Sequence, residues 1–191
     1  MTEARRKSAR LHLALIAAVF FGPLLVAAWL YYGGYFAENL GRSNHGALLE
    51  PIVNLGEELP DSPLRALTDA GWVLLYADTN ACADTCREAL YTTRQSRKML
   101  GKEMDRVQRV FLHGSSPPDT VFLAAEHPGL ITIDDASLSS LLDNKRPAEL
   151  AAGGYYLIDP LGNLVLYFRP DIEPSDMVSD IKRLLKLSRI G

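Results

Sequence analysis

The stretch "GWVLLYADTNACADTCREAL" (residues 71–90) decides how this chain folds, and it holds both of its cysteines, Cys82 and Cys86. Residues 71–78 are an apolar run without helical period and read as a buried strand. Residues 82–101 read as a helix that stops at Gly101, with Arg97 and Lys98 suited to the negative end of its dipole. A strand feeding a helix in this way begins a right-handed parallel crossover, which sets the helix N-terminus at the carboxyl end of the strand. Sheets of this kind carry their chemistry at that end. The cysteines fall there.

Working outward, "RVQRVFLHG" (106–114) reads as a second strand, and "TVFLAA" (120–125) suits either a strand or a helix. Residues 129–134 are a short extended stretch, and 135–144 a helix capped by Asp134 or Asp135. "GYYLID" and "NLVLYFR" flank "PLG", a β-hairpin signal. Residues 173–190 close the chain as an amphipathic helix with Met177, Ile181, Leu184, Leu185 and Ile190 on one face. This order of elements predicts an α/β fold in which a parallel crossover meets an antiparallel pair.

At the other end, residues 1–10 carry Arg5, Arg6, Lys7 and Arg10 against Glu3 alone. The apolar stretch Leu11–Tyr32 follows, and about twenty such residues cross a bilayer as a helix. Basic flanking residues hold their end in the cytoplasm, and Trp29, Tyr31, Tyr32 and Tyr35 suit the far membrane–water boundary. Gly22-Pro23 is expected to kink the helix without preventing insertion. A cleaved signal peptide needs a shorter apolar core and small residues at its cleavage site, whereas "YYGGYFAEN" is bulky. The organisation expected is a basic cytoplasmic tail (1–10), a transmembrane anchor (11–32), a tether (33–63) and a folded domain (64–191). Composition agrees: 48% hydrophobic and 23% charged residues in a chain of 191 exclude general disorder, and a net charge of −3 argues against nucleic acid as the main partner.

Three uses of the cysteine pair compete. A structural staple closes a very short loop, and chain constraint grows with loop length. A redox pair is favoured by the position, because a helix N-terminus stabilises a thiolate; Cys82 is then the attacking thiol and Cys86 the resolving one. A metal site is the third use, since two thiolates suit copper(I) but need another donor. Among the histidines, His12 lies in the apolar segment, His45 in the tether and His127 in a loop. His113 ends the second strand on the same sheet edge as the cysteines and is the candidate third ligand.

At these residues the chain resembles the Sco/SenC family, membrane-anchored thioredoxin-like proteins that assist cytochrome c oxidase assembly. The resemblance covers about residues 64–190 together with the anchor. "CADTC" is similar to the family's Cys-x-x-x-Cys after an apolar strand, "RVFLHGSSPPDT" to its second strand and acidic turn, and "YYLIDPLGNLVLYF" to its closing hairpin. The resemblance implies a thioredoxin-like fold behind one N-terminal transmembrane helix, an inner-membrane single-pass protein with its domain in the periplasm, and an oxidase subunit or another assembly factor as partner. Two departures stand out. Arg87 occupies the place of a proline after the second cysteine, and "AELAAGGYYLID" has Gly153 and Gly154 where the family places its copper-binding histidine. The resemblance thus implies a divergent relative acting by dithiol–disulfide exchange. A copper(I) chaperone using Cys82, Cys86 and His113, or a tethered assembly factor without catalysis, are the alternatives.

Arg87, Arg94, Arg97, Lys98, Lys102, Arg106 and Arg109 make the middle of the domain locally basic. They form either a solvated face, with Glu88 and Glu103 interspersed, or a docking face for an acidic partner or anionic lipid headgroups. Asp78 and Asp84 bracket the cysteine motif as caps or surface acids. Strand alternation puts at least one of Tyr155 and Tyr156 in the core.

Overall fold

Residues 2–33, 44–116 and 118–188 are described by the computed structural model. They belong to two units, Met1–Ser43 and Asn44–Gly191. In the first, Thr2–Tyr32 form a single helix, α1, that continues through Pro23. Its apolar part, His12–Tyr32, has 21 residues with a mean hydropathy of 2.4, and none of them is buried. Leu13, Val19, Phe20, Leu24, Leu25 and Trp29 all stand exposed. A helix that exposes apolar side chains along its length is suited to lipid, and this one is long enough to cross a bilayer.

The second unit is a six-stranded sheet. Its strands are β1 (Ala47–Asn54), β2 (Trp72–Asp78), β3 (Val107–His113), β4 (Leu130–Asp134), β5 (Tyr155–Ile158) and β6 (Asn163–Phe168), in the order β1-β6-β5-β2-β3-β4. β2, β3 and β4 run parallel, while β5 is antiparallel to β2, β6 to β5, and β1 to β6. The helices are α2 (Leu55–Glu58), α3 (Leu64–Thr68), α4 (Asp84–Met99), α5 (Thr120–Glu126), α6 (Ala136–Lys145) and α7 (Pro174–Leu187), with a 3-10 turn at Gly101–Arg106. The expected crossover and hairpin are both present.

The ambiguous segment after Asp119 is a helix because that side chain caps it, accepting from the N–H groups of Val121 (3.0 Å) and Phe122 (3.1 Å). Asp135 caps α6 through Leu138 N–H at 2.9 Å. The hairpin turn is held by Asp159, whose carboxylate accepts from the N–H groups of Leu161 (2.9 Å) and Asn163 (2.8 Å), with Gly162 left-handed at φ 82°.

One expectation needs correction. Residues 47–54, read as tether, are β1 and pair with β6 from Ala47↔Tyr167 to Asn54↔Asn163. Only Leu49 and Val53 of this strand are buried, and Pro51 interrupts it, so its apolar pattern is too broken to read as a strand. An edge position tolerates that proline because it has no N–H to offer the ladder.

Both faces of the sheet are covered. Trp72, Leu74, Tyr76, Val107 and Phe111 pack with Cys86 and Leu90 of α4 and with Met177, Ile181 and Leu185 of α7. Val73, Leu75, Val110 and Leu112 pack oppositely with Leu138 and Leu142 of α6 and Leu64 of α3. Alternate residues of one strand thus serve two cores.

Asp180 fastens the entry of the chain into this unit. It is 3% exposed on α7, and its Oδ2 accepts from the N–H groups of His45 (2.7 Å) and Gly46 (2.8 Å) just ahead of β1. The His45 ring adds an ion-pair contact of 3.4 Å when protonated. Asp180→Ala leaves two amides without their acceptor and is expected to destabilise the domain by about 2 kcal/mol. Thermal unfolding beside His45→Ala, which keeps both backbone bonds and is expected to change stability far less, checks it.

Candidate functional site: a disulfide at the carboxyl end of β2

β2 pairs with β3 from Trp72↔Val107 to Asp78↔His113 and with β5 from Val73↔Ile158 to Tyr76↔Tyr155. Its first five residues are buried, whereas Ala77 and Asp78 begin to meet solvent. Asp78 turns the chain: its carboxylate accepts from the N–H of Asn80 (2.9 Å), the Asn80 side-chain amide (3.1 Å) and the Tyr76 hydroxyl (3.3 Å). That carboxylate is engaged in the turn. Thr79 lies so close to Gly114 that a Cβ on the glycine would collide with the threonine backbone, which holds the loops after β2 and β3 together.

Cys82 and Cys86 are joined in a disulfide with their Cα atoms 5.1 Å apart. Cys86 lies in the first turn of α4 and is 1% exposed. Cys82 precedes the helix and is partly exposed, packing against the edge of the core that contains Cys86. Ala83 caps α4 without a side-chain hydrogen bond, so the first-turn N–H groups keep their positive end for a nearby anion. The two sulfurs therefore differ: one faces solvent at a helix start, and the other is sealed.

Tyr155 and Tyr156 are both buried, on opposite faces. Tyr155 belongs to the cluster of Cys86 and lies 5.7 Å from the Tyr76 ring, and burial pushes its phenol pKa up. Tyr156 belongs to the other core and donates to the Leu142 carbonyl at 3.0 Å. Arg87, one residue after Cys86, lays its guanidinium over the Phe122 ring at 4.7 Å from the centroid. This contact escapes a reading of sequence because thirty-five positions separate the two residues and only the crossover unites them.

The residues present do not assemble the three-donor copper site. Among the described residues, no group of three or more His, Cys, Asp or Glu side chains converges to hold a metal ion. His113 does end β3 beside Asp78, as expected, but its Nδ1 sits 2.7 Å from the Gly114 carbonyl oxygen and its ring centroid is 6.0 Å from that of Phe111. At Gly154, the residue directly ahead of β5, there is no room for a side chain. A Cβ at Gly154 would collide with the Phe168 carbonyl and the Tyr167 hydroxyl, which accepts from Gly154 N–H at 3.0 Å and donates to the Ala151 carbonyl at 2.5 Å. His45 pairs with Asp176 and Asp180 on α7. His127 is buried against Phe122, with ring centroids 5.2 Å apart.

Residues 72–188 match the family model described as the transmembrane-like, thioredoxin-like C-terminal domain, and the chain belongs to that family. No curated protein matches it. Among solved structures it is similar to apo Sco1 of Thermus thermophilus, at 19% identity over 74% of this chain and 96% of that one, with a TM-score of 0.53. Yeast Sco1 with copper bound is 18% identical over 65% and 81% of the two chains, with a TM-score of 0.51. Arabidopsis thaliana ScoI with copper bound is 17% identical over 65% and 89%, with a TM-score of 0.50. At these identities the likeness is one of fold. The resemblance to Sco/SenC proteins read from the sequence is met at that level, and the thioredoxin-like fold with it.

Two outcomes are expected. Reduced protein titrated with copper(I) under a competing chelator retains the metal equally well as wild type and as His113→Ala, because that imidazole is no part of the sulfur pair. Separately, burial, then the charges of Arg109 and Arg94, hold the His127 pKa below its ordinary value. The unfolded chain then binds more protons below about pH 6.5, so stability contributed at neutral pH is lost as the pH falls through that value. Melting temperature measured from pH 7.5 to 5 is expected to decline, and His127→Phe to flatten the decline.

Proposed function

We propose that this protein is a membrane-anchored dithiol–disulfide exchange protein that assists cytochrome c oxidase assembly from the outer side of the inner membrane. The observation that carries the exchange chemistry is the asymmetry of the Cys82–Cys86 pair, one sulfur partly exposed and the other 1% exposed. Exchange proceeds by thiolate attack on a disulfide sulfur through a mixed disulfide. In the reduced chain the Cys82 thiolate attacks a partner disulfide, releasing one partner thiolate and forming the mixed disulfide. The Cys86 thiolate then attacks Cys82 Sγ, releasing the second partner thiolate. Two electrons pass to the partner, and the chain is left with the intramolecular disulfide for another dithiol to reduce.

A purely structural role is the weaker use of this bond. Disulfide stabilisation in the chain-entropy picture is about 3 kcal/mol for a roughly 15-residue loop and falls for shorter ones. Cys82 and Cys86 are four positions apart.

The cellular setting rests on charge and resemblance. Arg5, Arg6, Lys7 and Arg10 precede α1 and favour a cytoplasmic N-terminus, which sends the domain to the side where disulfides persist. The Sco/SenC resemblance supports an oxidase copper subunit, or another assembly factor, as the partner whose cysteines must be reduced before metal is loaded.

Cys86→Ser is the test. It leaves Cys82 able to attack but removes the resolving thiol, so a covalent adduct with the partner accumulates on Cys82 and is released by reductant; mass spectrometry of the adduct names the partner. Cys82→Ser is expected to trap nothing. Equal trapping by both variants, or by neither, overturns the assignment of roles.

A further inference from the structure

α4 and α5 touch at two points beside the disulfide. At one, the Arg87 guanidinium lies 4.7 Å from the centroid of the Phe122 ring; at the other, Arg94 Nη1 meets Glu126 Oε2 at 3.3 Å. Helical spacing sets this pattern. Arg87, Tyr91 and Arg94 follow at i, i+4 and i+7 on α4, and Phe122 and Glu126 at i and i+4 on α5. Tyr91 falls between the two contacts. Its ring is 53% exposed, and its side chain makes no hydrogen bond or ring contact among the described residues.

An open groove of about 590 Å³ runs along this row, with Arg87, Glu88, Tyr91, Arg94, Phe122 and Glu126 in its lining. Val121, beside Phe122, is 78% exposed. Arginine, tyrosine and phenylalanine are the residue types enriched where proteins meet one another. The groove is also continuous with the disulfide. Arg87 follows Cys86 directly, and Phe122 and Cys82 both pack against the core that holds Cys86.

Charge gives the groove a direction. Arg94 is answered by Glu126, whereas Arg87 is exposed and meets no carboxylate among the described residues. The Phe122 face holds its guanidinium in place, so little freedom is lost when an acceptor arrives. Asp84 and Glu88 are exposed carboxylates in a separate row, at i and i+4, about 100° round the helix. They repel an incoming carboxylate toward the Arg87 side.

Resting on the exchange reading above, we propose that this groove seats the polypeptide segment flanking the partner's reactive cysteine. An apolar side chain of that segment lies on Tyr91, and a carboxylate next to the cysteine meets Arg87.

The test uses the reduced full chain in detergent micelles and three disulfides. Two are synthetic peptides with a disulfide-joined cysteine pair and a phenylalanine, differing only in Glu or Lys beside one cysteine. The third, bis(2-hydroxyethyl) disulfide, is small and uncharged and reports the reactivity of the sulfurs by themselves. Each peptide's rate is expressed relative to that of the small disulfide with the same variant. Wild type is expected to favour the Glu peptide over the Lys peptide about fivefold, and Arg87→Glu, a change at an exposed side chain, to reverse the order. Tyr91→Ala is expected to slow both peptides about fivefold and keep the preference. No reaction with any of the three disulfides defeats the exchange reading and the docking proposal with it. Reaction with the small disulfide but no preference between peptides, an unchanged preference in Arg87→Glu, or wild-type rates in Tyr91→Ala overturns the docking proposal alone. So does a dimer in sedimentation that Arg87→Glu dissolves, because the groove then belongs to a second copy of the chain.

Discussion

The double pairing of β2 is the constraint on which the rest depends. Residues 73–76 bond to β3 on one side and β5 on the other, and each face of the strand lies under a separate core. Slippage by a single residue would exchange Leu74 and Tyr76 for Val73 and Leu75 on the α4 side, so register is set strongly. The strand must then end where Ala77 and Asp78 reach solvent. The cysteine loop leaves the sheet there, and α4 folds back from it. The disulfide owes its place to the strand beneath it.

That geometry gives the two sulfurs unequal access. Cys86 is carried into the core by the first turn of α4, while Cys82 remains on the loop ahead of it. The chain segment entering β5 is closed by backbone contacts: Gly154 lies against the Phe168 carbonyl and the Tyr167 hydroxyl, with no room for a side chain. The bare backbone at Gly154 has a steric basis in the hairpin itself.

The basic middle of the domain divides in a similar way. Arg87 covers Phe122 beside the disulfide, and Arg94 and Arg97 pair with carboxylates at the surface. Arg109 alone among them is sealed within the fold. A charge in that position is a liability for stability, and it gives the basic face a depth that solvated side chains lack.

Much of this was legible in the residues themselves. The apolar run at 71–78, the helix after it, the hairpin around "PLG" and the membrane-length helix follow from periodicity and turn chemistry, which act over a few neighbouring residues. The alternation of "RVQRVFLHG" even carried the signal for Arg109, since period two sets it with Val107 and Phe111. The sequence could not place β1, whose strand character comes from pairing with β6 more than a hundred positions away, nor choose helix for the segment after Asp119. The seating of Gly154, the want of a three-donor cluster at His113 among the described residues and the sealing of Arg109 within the core belong to the tertiary structure alone. Each depends on distances between groups far apart in the chain, and local preference says nothing about those until the sheet has brought them together.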